Sequence, residues 1–118
     1  MDKETARYIF NYFSKFMNEN EVLANRHLST VFKRNITQDD LNGESEKIKL
    51  FKEKEWISDE PKVLELIKGG AEQFELSTAQ RILNHHGSEI FFNLCPKCRK
   101  LARTPQAKQC RHCGHDWH

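Results

Sequence analysis

The sequence predicts a mainly α-helical protein of four or five short helices, followed by a small C-terminal segment that docks on them. Three observations lead to this prediction. Apolar side chains recur at helical spacing over residues 3–17. Later segments carry residues typical of helix caps. All four cysteines lie between positions 95 and 113, in two Cys-x-x-Cys pairs. We therefore divide the chain into a helical body, residues 1–87, and a cysteine segment, residues 88–118, and expect the two to pack as one compact unit.

The first half of the chain predicts two helices and a turn. Residues 3–17 place a largely aromatic stripe on one face, and Asp2 can cap this helix. A second helix is predicted over residues 20–34, and the segment ITQDDLNG, which ends at Gly43, predicts a turn. The aromatic stripe fits the centre of a core, although a groove that binds another helix would show the same pattern.

The second half predicts shorter elements. Residues 44–57 favour a helix because charged residues dominate, although KIKLF alternates like a strand. Pro61 fits the first turn of the next helix. An S-x-x-Q capping box that begins at Ser77 predicts a helix over residues 77–86. The alternation of SEIFFNL predicts a strand that leads into the first cysteine.

The N-terminal sequence and the apolar segments indicate in which compartment the protein is located. The start, MDKETARYIFNYF, has neither the basic region nor the cleavage site of a secretory signal. No apolar run approaches the ~18 residues of a transmembrane helix. We therefore expect a cytoplasmic protein with no membrane association. In a reducing compartment, clustered cysteines more often bind metal or carry out redox chemistry than form disulfides.

The net charge of +2 is unevenly distributed. Residues 1–94 contain 13 Lys and Arg against 16 Asp and Glu, whereas residues 95–118 contain six against one. The basic end favours an anionic partner. The alternative is an ordinary solvated surface that happens to be rich in lysine and arginine.

The cysteines follow the spacing C-x2-C-x11-C-x2-C. Each Cys-x-x-Cys pair can place two sulfurs at one tight turn, and two such turns facing each other form a tetrahedral four-sulfur cage. The stretches CPKC and CRHCG resemble the zinc-ribbon class of small domains over residues 88–118. The resemblance implies one structural zinc ion, with four ligands: Cys95, Cys98, Cys110 and Cys113. Iron of the rubredoxin type uses the same ligands, and the short separation of the pairs favours zinc. Arg99 departs from the usual pattern because glycine is frequent at its position.

Three histidines follow the second pair: His112, His115 and His118. We interpret them as hydrogen-bond donors around the metal ligands or as exposed residues. The alternative is that they help to bind a second ion. A complete four-thiolate shell leaves no ligand position for water, which argues against catalysis at the metal.

These features predict a non-enzymatic, zinc-binding interaction module, in which the metal holds the ribbon for binding a protein or a nucleic acid. The candidate nucleic-acid contacts are the basic residues and the tryptophan of the ribbon: Lys97, Arg99, Lys100, Arg103, Lys108, Arg111 and Trp117. The aromatic first helix and the modest apolar content fit a protein partner, including a second copy of the chain. The alternatives are a small enzyme with a purely structural zinc and a thiol or zinc redox sensor.

Overall fold

The computed structural model describes residues 1–118 and confirms the mainly helical fold. Six α-helices follow one another: α1 Lys3–Tyr12, α2 Glu19–Lys33, α3 Gln38–Asn42, α4 Glu46–Glu53, α5 Pro61–Ile67 and α6 Ala71–His86. Short 3-10 helices, Ser14–Phe16 and Gly87–Glu89, follow α1 and α6. No helix combines the length and the apolar character that are needed to cross a bilayer.

Local capping explains several helix starts. The Asp2 carboxylate accepts the Thr5 N–H at 2.7 Å and caps α1 as predicted. Pro61 occupies the first turn of α5, also as predicted. The predicted turn after α2 contains the extra helix α3, which brings the total to six. Thr37 and Asp40 form a reciprocal capping box there, with hydrogen bonds of 2.9 and 3.1 Å.

Predicted boundaries of three helices and one predicted strand are wrong. The helix predicted over residues 44–57 spans only Glu46–Glu53. The first helix ends at Tyr12, and the chain tightens into a 3-10 turn before α2. The last helix begins at Ala71, so Ser77 lies inside it and does not cap it. The preceding Gly70 has a φ of 95° and ends the earlier segment, and good helix formers follow it. The predicted strand before the first cysteine is reduced to a single bridge at Leu94.

The residues form two compact units that do not follow chain order. The terminal unit comprises Met1–Phe16 and Glu75–His118, and therefore contains α1, most of α6 and the cysteine segment. The central unit comprises Met17–Phe74. The predicted division into a helical body, residues 1–87, and a cysteine segment, residues 88–118, stays a prediction.

The central unit has a small apolar core formed by Ile36, Ile48, Phe51 and Ile57. The Arg34 guanidinium lies 4.8 Å from the centre of the Phe51 ring and extends the packing with a cation–π contact. In the same unit α2 packs against α5.

The terminal unit is built around α1 and α6. Tyr8 and Ile9 on α1, and Ala79 and Ile82 on α6, are buried. The Phe16 ring after α1 stacks on an α6 histidine, with ring centres 4.3 Å apart. The first helix thus lies in a core, as its aromatic stripe predicts, and the cysteine segment belongs to the same compact unit.

Candidate metal centre

The two Cys-x-x-Cys pairs, which are separated by eleven residues in the sequence, lie next to each other in the structure. Their Sγ atoms all lie within 4.8 Å of one another. Two pairs of sulfurs from different Cys-x-x-Cys turns are 3.7 and 3.5 Å apart. A tetrahedron of sulfurs around zinc, with bonds of ~2.3 Å, has edges of about 3.8 Å. The four sulfurs are therefore arranged as a metal ion would require.

The cysteines are free thiols and not two disulfides. Cys95 and Cys110 are buried, Cys98 is half-buried and Cys113 is exposed. A soft four-thiolate donor set suits zinc or iron and does not suit magnesium or calcium. The four-thiolate donor set and the burial of Cys95 and Cys110 fit a structural metal site.

The first Cys-x-x-Cys turn forms a closed loop over residues 93–102, which we call the first knuckle. The Cys95 carbonyl accepts the Arg99 N–H, and the Cys95 N–H donates to the Lys100 carbonyl, both at 2.9 Å. An antiparallel bridge between the flanking residues closes the loop. Arg99 adopts a φ of 66°, in the left-handed region that favours glycine.

The second knuckle, residues 108–117, repeats this pattern with every residue fifteen positions later. The Cys110 carbonyl accepts the Gly114 N–H at 3.0 Å, and the Cys110 N–H donates to the His115 carbonyl at 2.8 Å. A second antiparallel bridge closes it. The two segments share only their cysteines in sequence, which explains why the sequence showed no repeat.

Backbone N–H groups surround the first sulfur of each knuckle. The donors, at 3.3 to 3.4 Å, are Lys97 and Cys98 to Cys95, and His112 and Cys113 to Cys110. In the second knuckle the Cys113 N–H is the largest cause that lowers the pKa of Cys110 to about 6, against the effect of burial. Such N–H donors stabilise a thiolate, which is the form that binds a metal.

Tyr8 of α1 fastens the first knuckle to the helices. Its hydroxyl donates to the Phe91 carbonyl at 2.5 Å and accepts the Asn93 N–H at 3.2 Å. The Asn93 amide then donates to the carbonyls of Thr104 and Ala107, at 2.9 and 2.8 Å, and so fixes the segment between the knuckles. The sequence analysis did not identify Tyr8 or Asn93 as site residues, because no local motif marks a contact between such distant segments.

The three histidines make contacts outside the sulfur cluster. His112 Nε2 lies 3.5 Å from a carboxylate oxygen of Glu4. The His115 ring stacks on Trp117, and His118 contacts the carboxylate two residues before it. Only the backbone of His112 reaches a sulfur, so the role of these side chains around the metal ligands stays a prediction.

Two of the six basic candidate contacts line one cleft. Arg103 and Arg111 come together beside α1, where they line a cleft of about 260 Å³. The remaining basic candidates do not line this cleft: Lys97, Arg99, Lys100 and Lys108. The cleft also contains α1 residues that the sequence analysis did not connect with the ribbon: Lys3, Glu4, Arg7, Tyr8, Asn11 and Tyr12.

The two structural units carry net charges of opposite sign, with the same values as residues 1–94 and residues 95–118. The terminal unit holds ten Lys and Arg against five Asp and Glu. The central unit holds nine against twelve. Even after four thiolates and a divalent ion are counted, the terminal unit stays positive.

Searches against protein-family models, curated proteins and solved structures find no match to this chain. The resemblance to zinc ribbons is therefore carried by the cysteine spacing, and the clustering of the four sulfurs is consistent with it. The function must be argued from the site itself.

Proposed function

We propose that this chain is a non-enzymatic zinc-binding module whose structural metal holds the C-terminal ribbon in place for binding a nucleic acid. The observation that carries the proposal is the convergence of four free thiols within 4.8 Å of one another. The ligands are Cys95, Cys98, Cys110 and Cys113. Metal binding at such a site is coupled to folding, because the site does not exist in the unfolded chain.

The site fits a structural zinc ion better than a catalytic one. Catalytic zinc keeps one ligand position for water, whereas four thiolates complete the tetrahedron. The N–H groups around Cys95 and Cys110 offset the charge of the thiolates and support a structural role. Iron accepts the same ligands, so the identity of the metal is part of the test.

The choice of a nucleic acid over a protein partner rests on charge. The terminal unit has ten basic residues against five acidic ones, and residues 95–118 supply six of the basic residues and only one of the acidic ones. Lysine and arginine excess of this kind attracts polyanions and is expected to give salt-dependent binding. The proposed partner is therefore a nucleic acid that contacts the terminal unit.

A titration of zinc-loaded protein against short labelled DNA and RNA, single- and double-stranded, tests the proposal. The readout is fluorescence anisotropy at low and moderate salt, with zinc content measured on the same samples. We expect one zinc per chain and binding that weakens steeply with salt. One bound zinc with no nucleic-acid binding at low salt would contradict the choice of partner. Absence of bound metal would contradict the metal site.

A further inference from the structure

The cleft beside the ribbon brings together three arginines from separate parts of the terminal unit. Arg7 comes from α1, Arg103 from the segment between the knuckles, and Arg111 from the second knuckle. The cleft measures about 260 Å³. Convergent guanidinium groups are well suited to phosphate, because each offers N–H donors in a planar fork that matches its oxygens.

The acidic groups near the cleft leave part of this charge uncompensated. Arg111 Nη2 pairs with Glu4 Oε1 at 3.1 Å. Arg7 Nε lies 3.4 Å from Glu75 Oε1, and its side chain is 71% exposed, so this pair is weak. Arg103 lines the cleft but makes no ion pair or side-chain hydrogen bond within the chain. The cleft therefore presents one unpaired guanidinium and a second that is only loosely held.

Arg103 is presented by an ordered loop. The Asn93 amide holds the carbonyls of Thr104 and Ala107, the first of which directly follows Arg103. Ala102, which directly precedes Arg103, is buried and donates its N–H to the Asn93 carbonyl at 2.7 Å. An arginine fixed at its backbone on both sides can bind a ligand with little loss of backbone entropy.

Tyr12 supplies an aromatic surface at the same cleft. Tyr12 is 44% exposed, and its ring lies 5.7 Å from the ring of the buried Tyr8, tilted by 60°. Bases of single strands stack on exposed aromatic rings that lie beside a basic groove. Asn11, from the same helix, adds a polar side chain to the cleft wall.

We propose that this cleft binds a phosphate of single-stranded nucleic acid, with Arg103, Arg7 and Arg111 at the phosphate and Tyr12 stacked on the adjacent base. The cleft volume of about 260 Å³ lies just below the ~300–1,000 Å³ of small-ligand sites. A base is free to stack on Tyr12 only where it is unpaired, so the proposed ligand is a single strand and not a duplex. This inference rests on the proposed function, because the ribbon that carries two of the arginines is held by the metal.

The test uses the zinc-loaded full-length chain and a labelled oligothymidine, followed by fluorescence anisotropy. Arg103→Gln should weaken binding about tenfold, because it removes a guanidinium with no other partner. Lys108→Gln is the matched control: it removes one charge from the same ribbon outside the cleft, and we expect a loss below about threefold. Tyr12→Ala should weaken binding about tenfold and Tyr12→Phe should not, because phenylalanine keeps the stacking ring.

Any of the following results would overturn the inference: equal losses for Arg103→Gln and Lys108→Gln, no loss for Arg103→Gln, duplex or mononucleotide binding as tight as that of the strand, or no binding of the strand at all. Zinc content and melting temperature of each variant identify which claim has failed. A chain that holds zinc but binds no strand contradicts the cleft and keeps the metal site. A chain that binds the strand through Arg103 without zinc contradicts the metal site and keeps the cleft.

Discussion

The two knuckles have the same backbone hydrogen bonds but different side chains. At the position four residues after the first cysteine, Arg99 has a φ of 66° and Gly114 a φ of 78°. Only glycine adopts this conformation without a cost. A common loop shape built from unlike residues indicates that the cysteines and their N–H···S bonds determine the geometry, and that Arg99 is held in place by them.

The knuckles also differ in how they attach to the helices of the terminal unit. The first is joined through the buried hydroxyl of Tyr8. The second is joined through Glu4, which contacts Arg111 and His112 near the surface. Exposed ion pairs contribute little to stability. We infer that the first knuckle is held by the core and by the proposed metal, whereas the second depends mainly on the metal.

Removal of a metal ligand should have the largest effect. We expect Cys95→Ser and Cys110→Ser to lose the metal and to destabilise the terminal unit by several kcal/mol, because a structural zinc site contributes ~10–16 kcal/mol of coupled folding energy. Metal analysis and urea unfolding measure the two losses. His115→Ser is the control, since the His115 side chain lies outside the sulfur cluster. Wild-type metal content and unfolding in both serine variants would refute the metal site.

Loss of the Tyr8 hydroxyl should have an intermediate effect that is confined to the first knuckle. Tyr8→Phe leaves the Phe91 carbonyl and the buried Asn93 N–H without their partner, at a cost of about 1–3 kcal/mol. Tyr12→Phe, on the same helix, removes a hydroxyl that makes no hydrogen bond within the chain and should cost almost nothing. Urea unfolding compares the two variants. Equal stabilities would show that Tyr8 does not anchor the ribbon.

Substitutions at Arg99 and Gly114 should have the smallest effects on stability, and these effects should have opposite signs in the two knuckles. Glycine at position 99 relieves the left-handed backbone strain, but it also increases the entropy of the unfolded chain. Arg99→Gly should therefore stabilise the protein by no more than about 1 kcal/mol. Gly114→Ala should destabilise it by about 1 kcal/mol. A methyl group at Gly114 meets no atom within 4 Å, so the cost is one of backbone conformation. Thermal unfolding of both variants measures the signs, and a stabilising Gly114→Ala would contradict this reading of the knuckles.

Features that depend on neighbouring residues were predictable from the sequence. The Asp2 cap, Pro61 at a helix start and the paired Cys-x-x-Cys turns are all local, and the structure has each of them. The Ser77 capping box failed because S-x-x-Q is also tolerated inside a helix, and the good helix formers before it extended α6.

Long-range features of the site could not be predicted in this way. The hydrogen bond between Tyr8 and Asn93 joins residues 85 positions apart. The cleft combines Arg7 and Tyr12 of the first helix with Arg103 of the ribbon. No spacing rule connects such segments. The excess of basic residues over residues 95–118 indicated only that a partner would carry negative charge.

X-ray absorption at the zinc edge, on protein with its metal content determined, tests the central claim most directly. The account predicts one zinc per chain with four sulfur neighbours at ~2.3 Å. Nitrogen or oxygen neighbours in place of any sulfur, or protein that holds no zinc and has its cysteines joined as disulfides, would contradict it.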